Sequence, residues 1–157
     1  MRDAFPPVRR RFIMYPLSMG QGETSVVHTL ALATAAVRGV DYLFPAEAPA
    51  SALGLIERAA PLWVWGALFI VGAVIVVVGL LADSLPSVFL GHVGLASLYA
   101  AIGFGQFAYR YPDHGFVGIR TAFGLAVGAA GIHLVLSWVA WTQFKNGRAA
   151  RHAAGIE

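Results

Sequence analysis

The sequence predicts an all-α integral membrane protein folded as a four-helix bundle. Three observations carry that reading. Four apolar stretches of span length follow a basic N-terminal segment. Of the 157 residues, 58% are hydrophobic and 12% charged, whereas a soluble domain carries about a quarter charged residues. Positive charge gathers at the two ends of the chain, where membrane topology uses it. With a mean hydropathy of +0.69, this much apolar surface is accepted by a bilayer and hard to hide in a small soluble core. One compact domain is the natural expectation at this length.

Residues 1–25 read as a flexible, basic cytoplasmic tail, with Pro6, Pro7, Pro16, Gly20 and Gly22 breaking regular structure. Arg9, Arg10 and Arg11 are not followed promptly by an apolar run with a small-residue cleavage site, so a signal peptide is not expected. The transmembrane domain is placed at 26–144 and a second basic cytoplasmic tail at 145–157.

The first span, Val26 to Phe44, is the most polar, with His28, Thr29, Thr34, Arg38 and Asp41. A charge at the centre of a membrane helix costs about 2.5–3.5 kcal/mol on the insertion scale. Arg38 and Asp41 lie near one end and three residues apart, on one helical face, so a self-neutralising ion pair is expected. The alternative is a network at the mouth of the bundle with Glu57, Arg58 or Arg120. A three-span variant has this segment lying in the interface. The second span, Leu62 to Ala82, is uncharged and meets the length of about 20 residues that crossing requires. The third, Val88 to Tyr109, carries His92 and Gln106. The fourth, Phe116 to Phe144, has Arg120 near its start, where its head group can snorkel to water, and His133 inside. Between the first two spans, Ala52 to Ala60 reads as a short interfacial helix with Leu53, Ile56 and Ala60 on one face and Glu57 on the other.

Topology follows from charge. Arg2, Arg9, Arg10 and Arg11 outweigh Asp3 and Glu23 before the first span, and Lys145, Arg148 and Arg151 outweigh Glu157 after the last. Both ends are therefore expected in the cytoplasm, which requires an even number of spans. Tyr42, Phe44, Trp63, Trp65, Tyr109 and Tyr111 would then mark the outer interface, and Trp138 and Trp141 the inner one.

No cysteine is present, which removes disulfides, thiolate metal sites and cysteine nucleophiles. GxSxG, GxGxxG, a P-loop and HExxH are all missing, so no catalytic, cofactor-binding or metal residue is assigned and no enzyme is expected. Ser97, Tyr99 and Ser137 read as packing or hydrogen-bonding residues. The pI near 9.7 reflects the basic ends and does not imply nucleic acid.

His28 and His92 fall within one or two turns of the inner face and His133 deeper, by a rise of about 1.5 Å per residue. Such histidines can ligate haem or a metal or relay protons, or simply bond to backbone and interfacial water. Small residues recur at helical spacing: Gly72 and Gly79, Ala96 and Ala100, and the GxxxG of Gly124 and Gly128. Small residues let helices approach closely in lipid, either within one bundle or between copies. The lipid bilayer and further copies of the chain are the expected partners.

At VRGVDYLF (Val37 to Phe44) and ERAAPLWVWG (Glu57 to Gly66) the chain resembles small multi-span membrane proteins of actinobacterial phages, some of them holin-like. Holins are also similar in small size, glycine- and alanine-rich spans and a short basic C-terminal tail. The resemblance implies a protein of the bacterial inner membrane that oligomerises and permeabilises it for host lysis. It supplies no catalytic residues. Two other function classes stay open: a non-lytic accessory or exclusion protein binding another membrane protein, and a small haem-binding or transport protein.

Overall fold

A computed structural model describes residues 21–45, 57–114 and 119–153, which are helical almost throughout, with no strand among them. Helix α1 is Gln21–Leu43, α2 Leu62–Leu81 and α3 Leu85–His114. The fourth rod starts as α4, Ile119–Phe123, passes through a π-helical stretch, Gly124–Ala129, and continues as α5, Ala130–Ala153.

The connections explain the helix ends. After α2 the chain turns in three residues. Asp83 adopts φ 52°, a left-handed conformation that Asp tolerates better than most residues. The Ser84 N–H then donates to Gly79 O at 2.8 Å and Asp83 N–H to Leu80 O at 3.4 Å, satisfying carbonyls that the helix end would otherwise orphan. Ser84 O in turn accepts from Val88 N–H at 3.1 Å, and Pro86 sits in the first turn of α3, where its missing N–H costs nothing. Pro61 opens α2 in the same spirit, its carbonyl accepting from Val64 N–H at 2.9 Å.

Close approach of small residues sets the packing, and it fixes the direction of each helix. Gly39 of α1 lies against Gly66 and Ile70 of α2. Gly72 and Gly79 of α2 lie against Leu95 and Val88 of α3. Gly103 of α3 meets Ala122 and Ala126, while Phe89 packs on Trp141 with centroids 5.3 Å apart. Each successive pair is therefore antiparallel, and the start of α1 and the end of α5 come to the same end of the bundle. Phe69, Val76, Leu95 and Ile102 form the dry centre, each fully buried. The outside is apolar: Val71, Val74, Val78, Phe104, Leu134, Val135 and Trp138 are all exposed.

Among the described residues, three helical segments are long and apolar enough to cross a membrane: Leu62–Leu81, Leu85–Tyr109 and Arg120–Ala153. Helix α1 is not among them, because of the polar residues noted above.

Several expectations require correction. Helix α1 starts at Gln21, so the last five residues of the expected flexible tail are helical; residues 1–20 lie outside the described chain. The last helix runs to Ala153 instead of stopping at Phe144, since Arg148 and Arg151 favour the negative end of a helix dipole and lone Gly147 is insufficient to end it. Of the expected interfacial helix over Ala52 to Ala60, residues 52–56 lie outside the described chain, and Glu57–Ala59 form a 3-10 turn. Glu57 does not face water but is buried, 3% exposed.

Candidate functional site

The buried stripe of α1 explains the site. His28, Ala31, Ala35, Gly39 and Tyr42 are its buried residues, spaced three or four apart on one helical face. The three small residues in the middle bring the helix close, and a polar ring stands at either end. The same spacing on α3 buries His92, Leu95, Tyr99 and Ile102, and on α5 buries His133, Leu136 and Ala140.

These stripes assemble a column of six rings from four helices. His28 meets His92 edge to face, centroids 5.2 Å apart. His92 and His133 are 5.1 Å apart by centroid and bonded through their Nδ1 atoms at 2.8 Å. Tyr99 stacks on His133 at 5.5 Å. Phe69 then meets Tyr99 edge to face at 4.9 Å and Tyr42 at 6.2 Å. The Tyr42 hydroxyl donates to Glu57 Oε1, and the Arg38 guanidinium lies 5.1 Å from the Tyr42 ring centroid. Thr34 lies beside the Tyr99 hydroxyl, and its own Oγ1 donates to Ala31 O at 2.8 Å.

The Nδ1–Nδ1 contact constrains its protons. Two lone pairs cannot face each other at 2.8 Å, so one ring is the Nδ1–H tautomer and the other is not. His92 Nε2 is buried with no hydrogen-bond partner among the described residues. Placing the pair's proton on His92 Nδ1 leaves that Nε2 as a bare acceptor and avoids burying an orphan N–H donor, the costlier arrangement. Among the described residues, no three of His, Cys, Asp or Glu are grouped so as to hold a metal ion.

The structure brings together some of the residues singled out by sequence and separates others. His28, His92 and His133 share one level, although counting along the helices put His133 deeper. The expected ion pair of Arg38 with Asp41 is corrected: Asp41 is exposed, and Arg38 reaches one turn on to the Tyr42 ring, a cation–π arrangement. Glu57 joins Tyr42, while Arg58 lies 4.3 Å from the Tyr109 ring centroid. Arg120 is exposed. Gln106 is buried, its Oε1 without a partner. Ser97 and Ser137 bond back to Val93 O and Leu134 O.

Of the small residues, Gly72 and Gly79 are at the α2–α3 contact. Ala96 is buried and Ala100 exposed. Among the described residues, Gly124 and Gly128 have no atom within 4 Å of where a Cβ would stand, so their ridge faces away from the described bundle. Sequence reasoning gave Tyr42 and Phe69 no part in a site. The three-and-four spacing of His28, Ala31, Ala35 and Tyr42 was the available signal.

Among the described residues, fold and site together define an all-helical arrangement of four helices, three of them long and apolar enough to cross a membrane, with a buried histidine–tyrosine column. No protein-family model, curated protein or solved structure matches the chain.

Proposed function

We propose that the chain is an integral membrane four-helix bundle of the bacterial inner membrane, with both ends in the cytoplasm. In this reading it is a holin-type phage protein that self-associates and permeabilises the membrane for host lysis. Four spans are supported by α1 itself, which packs antiparallel to α2 and turns Val26, Leu30, Val37 and Val40 outward, an apolar face suited to lipid. Of its polar residues, His28 and Tyr42 point inward, while Thr29, Thr34 and Asp41 are exposed, Asp41 near the helix end. The start of α1, which the basic residues of the N-terminal sequence precede, and the basic end of α5 lie at one end of the bundle, in keeping with a shared cytoplasmic side. Reporter fusions at the two ends should both report cytoplasm; a periplasmic C-terminus would defeat this topology.

The observation that carries self-association is the open ridge of Gly124 and Gly128. A second copy can bring its backbone close there, since small residues are what permit close contact in lipid. The apolar surroundings of the ridge, Phe123 and Val127, are exposed as well. Gly124→Leu and Gly128→Leu should leave the monomer folded and reduce crosslinked oligomer and dye leakage together in cells expressing the protein. Absence of leakage from overexpressed wild type would rule out permeabilisation. Full leakage and crosslinking by both variants would remove this ridge as the interface.

A further inference from the structure

Ionisable groups inside a membrane domain mark ion paths and proton relays more often than structural sites. Here they are aligned, not scattered. His28, His92 and His133 lie in edge, hydrogen-bond and stacking contact at one end of the bundle, 7%, 0% and 1% exposed. The hydroxyls of Tyr99 and Thr34 come next, and Arg38, Tyr42 and Glu57 follow at the far end. From His28 to Tyr42 the column climbs roughly 21 Å along α1, by a rise of about 1.5 Å per residue, a large part of the apolar thickness of about 30 Å. One apolar side chain interrupts it. Phe69, fully buried, stands between Tyr99 and Tyr42 in contact with both rings.

We propose that the interior of the bundle is a proton relay, in which the His92–His133 pair passes protons between the His28 end and the Tyr99–Thr34 hydroxyls, and Phe69 closes the way to Tyr42 and Glu57.

The pair can move a proton with every charge accounted for. In the starting state His92 carries its proton on Nδ1 and donates to His133 Nδ1, while His133 is protonated on Nε2. A proton entering from the His28 side binds the vacant His92 Nε2 and makes that ring cationic. The proton on His92 Nδ1 crosses the 2.8 Å contact to His133 Nδ1, so the positive charge moves to His133. When Phe69 moves aside and water enters beside the Tyr99 and Thr34 hydroxyls, His133 releases its Nε2 proton to that water. One proton has entered, one has left, and both rings are neutral in the opposite tautomers. Reversal of the tautomers resets the pair. Groups facing it are few: α1 offers His28, Thr34 and, farther on, Arg38; α3 offers Tyr99; α5 offers only Ser137, occupied with Leu134 O. Helix α2 has no ionisable residue anywhere in Leu62–Leu81, so its contribution is the apolar plug. Apolar constrictions gate by excluding water.

This relay lies within a single chain and goes beyond permeabilisation by an assembly, so the two can fail separately. The test uses the full-length protein in liposomes at a low protein-to-lipid ratio, with a potassium diffusion potential driving protons and a trapped pH dye reporting them. Parallel vesicles hold a larger fluorescent dye. Phe69→Ala is expected to raise proton flux several-fold over wild type, with the larger dye retained. Adding His133→Leu to that variant should return the flux to the level of protein-free vesicles. Phe69→Leu serves the same purpose if the alanine variant does not fold. Folded Phe69 variants that conduct no better than protein-free vesicles would overturn the relay. So would flux that survives loss of His133, or escape of the larger dye in step with protons. Leakage of dye by wild type at high protein density, abolished by Gly124→Leu, concerns the assembly and leaves the relay's own outcome to be read at low density.

Discussion

A single methyl group added at Gly66 or Gly103 is expected to destabilise the bundle by about 1–3 kcal/mol, the range for forcing atoms into a packed interior. Helix propensity alone gives the opposite sign, since alanine is favoured over glycine by about 0.8–1.0 kcal/mol inside a helix. The steric term prevails because the obstacles are backbone. A Cβ at Gly66 would stand 2.7 Å from Gly39 O and 2.9 Å from Leu43 N. One at Gly103 would stand 2.7 Å from Ala126 N and 2.8 Å from Ala122 O. Neither can rotate away, so α1 must separate from α2, or α3 from the fourth rod. At Gly128 and Gly131 nothing lies within 4 Å, and in the monomer Gly→Ala there should be neutral or stabilising. Unfolding in detergent micelles compares the four variants directly. Equal stability for Gly66→Ala and Gly128→Ala would contradict the close crossing of α1 and α2.

The second large effect is expected at the far end of the column. Glu57 is buried and accepts from the buried Tyr42 hydroxyl, and hydrogen bonds to charged groups contribute about 1.5–3 kcal/mol. Glu57→Ala should cost about that much, because Tyr42 keeps a buried hydroxyl without this acceptor. Tyr42→Phe should also destabilise, by withdrawing a donor from a buried carboxylate. Together the two substitutions should cost distinctly less than the sum of their separate costs, since each removes the same bond. Additivity within about 0.3–0.5 kcal/mol, the behaviour of independent sites, would mean that the contact contributes nothing. The arrangement also explains how Glu57 is tolerated in a buried position: Tyr42 provides a partner inside the protein where water is excluded.

The all-helical architecture was legible in the sequence because it depends on local quantities. Uninterrupted apolar runs such as Leu62 to Leu81, the break at Ala82 to Ser84 and the clustering of arginine at the ends need no knowledge of neighbours. Helix boundaries were less legible. Gln21–Ser25 and Lys145–Ala153 are polar or basic, and polarity marks the end of an apolar span without marking the end of a helix, which can extend beyond the packed bundle.

The partners of the polar residues were the least legible part. Arg38 and Asp41 share a face by spacing, but which of two neighbouring rings or carboxylates a long side chain reaches is decided by what else occupies the space. Tyr42 occupied it. The sequence by itself determined the helical class, the number of helices and the residue types available for chemistry, because periodicity and composition act over a few turns of one chain. Only the tertiary structure decided that His28, His92 and His133 meet, that Phe69 separates Tyr99 from Tyr42, and that Gly72 faces inward while Gly124 faces out. Those outcomes depend on how each helix is rotated about its axis and how far it slides along its neighbours. Contacts more than twelve residues apart set both, and no local pattern encodes them.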